Sequence, residues 1–144
     1  MRTTTLVYPD ETLSQQSVDL EPDEPPPNSA DQILTPNVPT PVPPGMRVKT
    51  ETFRAKTVIT VFGIIVFRGR LLKPPKVVLF RSDEKVLVIP AQIPPAGGGE
   101  FQIQIDKANY PSLFPGDFKV AIRNPKDNTP TIVVDAVVLF DPDN

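Results

Sequence analysis

The sequence predicts an all-β domain behind an extended N-terminal arm, and three observations carry that prediction. Apolar and polar residues alternate with period two in several short segments after residue 45, and turn residues separate these segments at near-regular intervals. No segment of helical length repeats its apolar residues every 3.6 positions. The region before residue 46 differs in kind, with half of the chain's 20 prolines and almost no basic residues.

The expected strands follow in order. Arg47–Phe53 is a weak first strand, and Val58–Phe67 (VITVFGIIVF) is a second that is apolar on both faces. Lys76–Arg81 and Lys85–Ile89 flank Ser82-Asp83-Glu84, a hairpin turn by composition. Phe101–Ile105 and Phe118–Ile122 alternate strictly, the mark of half-exposed antiparallel strands. Ile132–Phe140 (IVVDAVVLF) closes the series, again apolar on both faces. Pro74-Pro75, Pro94–Gly99, Pro115-Gly116-Asp117 and Asn124–Asn128 read as turns, and Gly97-Gly98-Gly99 as a flexible loop without the Lys-Ser/Thr of a phosphate cradle. About seven strands in about 95 residues fits an immunoglobulin-like β-sandwich.

The domain boundary is expected at residues 45/46, giving an arm over 1–45 and a sandwich over 46–144. Each proline fixes φ and removes an N–H donor, so the arm favours extended or polyproline II conformations. At about 3.1 Å per residue such an arm reaches on the order of 140 Å. Two apolar clusters, Leu6-Val7-Tyr8 and Ile33-Leu34, are the candidate anchors by which it docks into neighbouring protein.

Charge divides at the same boundary. Residues 1–45 carry seven acids against Arg2 alone, and the remainder carries fourteen basic residues against ten acids. Arg47, Lys49, Arg54, Lys56, Arg68, Arg70, Lys73 and Lys76 are the candidate basic partner-binding face, suited to an acidic protein surface or to the arm of a neighbour. Nucleic acid is not the expected partner, because the sequence pI is near 5.1 and the arm competes for the same charge. The doubly apolar strands leave more apolar surface than one sandwich covers. Ile59, Val61, Ile65, Val133, Val137 and Leu139 are therefore the candidate contacts of a homo-oligomer.

Catalysis and cofactors are not expected. The chain has no Cys and no His, which removes the common nucleophile–base pairs and the common transition-metal ligands. No carboxylate cluster has a recognisable metal-binding spacing. The first residues lack the apolar run of a secretory signal, and no apolar stretch is long enough to span a bilayer, so no membrane partner is expected.

Four segments resemble the IPT/TIG type of immunoglobulin-like domain. They are Ile59–Gly63, Pro74–Phe80, Phe101–Ile105 and Pro115–Pro125, the last combining a Pro-Gly-acid turn, an alternating strand and an Asn-Pro exit. The whole layout is also similar to the capsid decoration (cement) proteins of tailed phages. That resemblance implies a trimeric, non-enzymatic virion protein, assembled in a host cytoplasm, bound to the major capsid protein or another virion protein. The alternative is an adhesion or carbohydrate-binding module of a surface or tail-fibre protein. The absence of Trp and the presence of only two Tyr, the rings on which sugars stack, count against it.

Overall fold

The computed structural model describes residues 32–143, and all nine strands among them belong to one curled, mixed sheet. β1 is Gln32–Ile33, β2 Thr40–Val42, β3 Arg47–Lys49, β4 Phe53–Arg70, and β5 Lys76–Arg81. β6 is Glu84–Pro90, β7 Ala96–Asp106, β8 Gly116–Arg123, and β9 Ile132–Pro142. The seven expected strands are β3 to β9.

The sheet folds over itself into two layers. One runs β6-β5-β8-β3-β1 and the other β7-β4-β9-β2. All pairs are antiparallel except β1 with β3. β4 belongs to both layers. Phe53–Ala55 pair with β8 in the first, and Val58–Val66 run between β7 and β9 in the second. The inward residues of both layers form one core. Val77, Leu79, Val120 and Ile122 come from the first layer, and Ile59, Val61, Ile103 and Val134 from the second. This is an all-β sandwich.

The pairings of β4 with β7 and of β5 with β8 are those of an immunoglobulin domain's second with fifth and third with sixth strands. The flanking strands exchange places. β9 lies beside β4, where such a domain has its first strand, and β3 lies beside β8, where it has its last.

Two turns show how residue choice sets the path. Ser82 and Asp83 both have positive φ, 52° and 66°, and join β5 to β6 with Arg81 opposite Glu84. A two-residue turn with that handedness matches the twist of the strands it joins. Pro44 and Gly45 sit inside a turn closed by the Met46 N–H on the Pro43 carbonyl, with Gly45 at φ 82°. That is the proline-then-glycine order a type II turn requires.

Three expectations need correction. Residues 32–45, assigned to the arm, are part of the sandwich. Leu34 and Val42 are buried in the main core, Thr40–Val42 pairs with β9, and the Gln32 side chain donates to the Pro41 carbonyl at 2.8 Å. The prolines did not prevent this because β2 is an edge strand, where a missing N–H costs no ladder bond. The triglycine segment is not a loop. Gly98 and Gly99 lie in β7 and pair with Val66 and Ile65 of β4, and a Cβ on Gly98 would clash with the Ile65 carbonyl oxygen. Glycine is needed there because the two backbones approach too closely for any side chain. The third concerns the interface residues and is taken up below.

Buried Asn124 and Asn128 tie four chain segments together at one end of the sandwich. Asn124 Nδ2 donates to the carbonyls of Val42 and Pro130 at 3.0 and 3.1 Å. Asn128 Oδ1 accepts from the N–H groups of Leu72 and Lys73 at 2.9 and 3.0 Å, and its Nδ2 donates to Lys73 O and Asn124 Oδ1, both at 3.0 Å. Deleting one side chain leaves several buried polar groups unsatisfied.

Two predictions follow from these contacts. Asn128→Ala should destabilise the chain by about 1–3 kcal/mol, read as a lower urea midpoint with an unchanged slope. A chain beginning at Gln32 should keep a cooperative transition. One beginning at Met46 loses Leu34 and Val42, worth about 3–6 kcal/mol of apolar burial together. It should therefore be much weaker, because the whole stability of a small domain is on the order of 5–15 kcal/mol. Equal midpoints for the two truncated chains would show that residues 32–45 add nothing to the core.

Candidate functional site

Among the described residues, neither sheet layer has a second layer of strands on its outside, and the two outer faces differ in chemistry. The outer face of β7-β4-β9 is mainly apolar in its middle, where Asp135 of β9 stands opposite Ile64 between Val133 and Val137. Phe62, Ile64 and Val66 project from β4 with 39, 42 and 43% exposure, and Leu139 from β9 with 52%. Val133 and Val137 complete the stripe on β9, opposite Val66 and Phe62 in register. Glu100, Gln102 and Gln104 border it on β7, opposite Ile64, Phe62 and Thr60. A depression of about 700 Å³ lies over this face, lined by Asn37, Phe62, Ile64, Gln102, Asp135 and Val137 among others.

Among the expected interface residues, Ile59, Val61 and Ile65 are fully buried in the main core. They cannot contact a partner, and the even-numbered neighbours Phe62, Ile64 and Val66 take that place. The three from β9 stand on the outer face, Val133 and Val137 half-buried and Leu139 exposed. The segment is apolar in both phases, so its sequence alone did not say which phase points inward. The partner strand would have helped, because Asp135 marks the outward phase of β9, and Val134 and Ala136 of the opposite phase pair with Ile65 and Gly63 across the β4–β9 ladder.

The outer face of β6-β5-β8-β3 is basic with an apolar centre. Val78, Phe80 and Ala121 form a second buried cluster there, with Val88 packed beside it. Around it stand Arg47 and Lys49 from β3, Lys76 from β5, Lys85 from β6, and Lys119 and Arg123 from β8. The register places Lys76 and Arg47 on either side of Arg123, and Lys119 beside Phe80. The Arg47 guanidinium lies 5.5 Å from the centre of the Phe80 ring, within cation–π range. Lys119 pairs with Asp83 at 2.8 Å and holds that carboxyl below its ordinary value.

The expected basic residues therefore divide. Arg47, Lys49 and Lys76 share this face, together with Lys85, Lys119 and Arg123. Arg54 instead bridges Asp117 and Asp143 at 3.3 and 3.0 Å, and Lys73 pairs with Asp127 at 3.1 Å in the loops. Arg68 and Arg70 stand exposed at the far end of β4, and Lys56 at its bulge. Lys119 and Arg123 were readable from the same alternation that identified their strand, in the phase opposite Phe118 and Val120. Of the candidate anchors, Leu34 is buried in this chain's own core, whereas Ile33 is 45% exposed. Leu6, Val7 and Tyr8 lie outside the described residues.

Asp141 has a structural task. β4 carries an irregularity between Ala55 and Ile59, which pair with Pro142 and Phe140 of β9. The N–H groups of Thr57 and Val58, displaced from the ladder, donate to Asp141 Oδ1 at 2.9 and 3.0 Å, and the Thr57 hydroxyl donates to Oδ2. The Thr57 hydroxyl and then the backbone donors hold the Asp141 carboxyl far below the usual aspartate range. Among the described residues no group of three or more carboxylates stands close enough to hold a metal. No protein-family model and no curated protein matches the chain.

The depressed pKa fixes the sign of a pH effect. The contribution of Asp141 is present above the ordinary aspartate pKa and is lost as pH falls toward the lower folded value. The Tm of Asp141→Asn should lie below that of the native chain, with the widest gap above about pH 5 and a narrowing gap below about pH 4. A gap independent of pH would mean that the carboxylate charge is not what holds the bulge.

Proposed function

We propose that this chain is a non-enzymatic structural protein that assembles through its apolar sheet face, most specifically as a capsid decoration protein of a tailed phage. The carrying observation is the exposed stripe of Phe62, Ile64, Val66 and Leu139 on the outer face of β4 and β9, with the Asp135 carboxylate within it opposite Ile64. Aromatic and aliphatic side chains at this exposure, bordered by polar residues, have the anatomy of an interface core with its rim. The resemblance to cement proteins supplies the particle and favours a trimer. The segment before Gln32 supplies reach toward neighbouring subunits.

Two measurements test the two halves. Native mass and sedimentation should give an oligomer, and Phe62→Asp with Leu139→Asp should give a folded monomer, since both side chains are partly exposed in one chain. The native oligomer should co-sediment with expanded phage capsids lacking their decoration protein, and the monomeric variant should bind them at least tenfold more weakly. A native chain that stays monomeric at all concentrations ends the assembly reading. An oligomer that ignores capsids ends only the phage reading.

A further inference from the structure

We propose that the outer face of β4 and β9 packs on a second copy of this chain, whose Arg68, with Arg70 beside it, enters between Asp135 and Glu100. This rests on the reading of that face as an assembly surface, and it adds which side chains one copy supplies to the other.

The row that receives the arginine crosses three strands. Ile64 pairs with Glu100 of β7 on one side and with Asp135 of β9 on the other. With strands about 4.8 Å apart, the two acidic residues stand on the order of 10 Å from each other across Ile64. All three line the depression of about 700 Å³ over this face, together with Phe62, Gln102 and Val137. Asp135 is half-buried between Val133 and Val137 along its strand. Among the described residues its side chain has no hydrogen bond or ion pair, and neither does that of Glu100. An apolar surface laid over this row would strip water from a carboxylate and give it no partner, which is strongly unfavourable. The covering surface must therefore bring a cation. Arginine suits the place, because its planar guanidinium is weakly hydrated and donates to carboxylates on more than one side.

The chain carries such cations at one end of the same face. Val66 pairs with Gly98 and Arg70 with Ala96, so β4 advances further than β7 over this stretch. The surplus forms a bulge around Gly69, whose φ is 92°. Arg68 and Arg70 flank that glycine and are exposed, while Phe67 and Leu71 turn into the main core. Among the described residues neither arginine has a side-chain hydrogen bond or ion pair. Arg68 stands roughly 10–13 Å beyond Ile64 along β4, so it borders the stripe of its own chain and does not cover the acidic row.

The face is thus complementary to itself, basic at one end and acidic in its middle. Two copies facing each other with antiparallel β4 strands and Val66 over Val66 bring the basic end of each over the Ile64 row of the other. Sheets packed face to face lie about 10 Å apart, a gap that an arginine side chain crosses. The pairing is then made twice across a twofold axis, and in a closed ring once per copy.

Sedimentation equilibrium of the full chain and its variants tests this. Arg68→Glu and Asp135→Arg should each raise the dissociation constant of the oligomer about tenfold or more, and the two together in one chain should recover most of the loss. Because the chain has no cysteine, the contact can also be read by cross-linking without reversing a charge. Chains with Arg68→Cys mixed with chains with Asp135→Cys should give the mixed disulfide on mild oxidation, well ahead of Lys56→Cys chains mixed with Asp135→Cys chains. Suppose instead that Phe62→Asp with Leu139→Asp breaks the oligomer, both reversals leave it intact, and no mixed disulfide forms. That result would overturn the arginine pairing and leave assembly through the face standing. A native chain that stays monomeric at all concentrations would overturn both.

Discussion

A single carboxylate holds the place where β4 passes from one layer to the other. A strand that serves two layers must break its ladder somewhere, and a broken ladder leaves N–H groups without partners inside a sheet. Here the break falls at Lys56–Val58, and Asp141 accepts the freed N–H groups of Thr57 and Val58. The chain can therefore pair with β8 before the break and with β7 and β9 after it. The phase of β4 in the second layer depends on that crossing. It sends Ile59, Val61 and Ile65 inward and Phe62, Ile64 and Val66 outward. A shift of one residue would exchange the two sets.

Strand existence was legible in the sequence because period-two patterning and turn chemistry are local signals. Strand phase in β4 was not. Its two faces are nearly equal in hydrophobicity, and the choice between them is made by Asp141 about 80 residues away in sequence. The extent of the domain was also obscured. Thr40-Pro41-Val42 carries a proline, and proline argues against a central strand but not against an edge one. The glycines misled for a related reason. Gly98 and Gly99 are in β7 because of the backbone of β4 beside them, and nothing in their own neighbourhood announces that approach. The basic face was half legible. Arg47, Lys49 and Lys76 were in view by composition. Joining them to Lys119 and Arg123 requires the pairings of β3 and β5 on the two sides of β8.

The two outer faces divide the molecule's interactions by type. The β4–β9 face offers mainly apolar area, with Asp135 as a carboxylate that a partner there must pair or leave in water. The β3–β8–β5 face offers charge around a small apolar centre, so association there will respond to salt. Seven of the 17 acids lie before Gln32, and the described remainder of the chain is net positive. A uniform distribution of the same charges would have given neither face a preference.

The edges of the sheet direct association to these faces. β7 is an open edge of the second layer, but Pro94 comes so close to Gly99 that a Cβ there would meet its ring at 3.1 Å. β2, the other edge of that layer, is three residues long and carries Pro41. In the first layer, β6 ends on Pro90 and presents Lys85. Short strands, prolines and lysines are the features that keep edges from pairing with other chains. Among the described residues, the stripe from Phe62 to Leu139 is the exposed apolar surface on which another protein can pack. A flat face with a polar border selects its partner by shape and by that border.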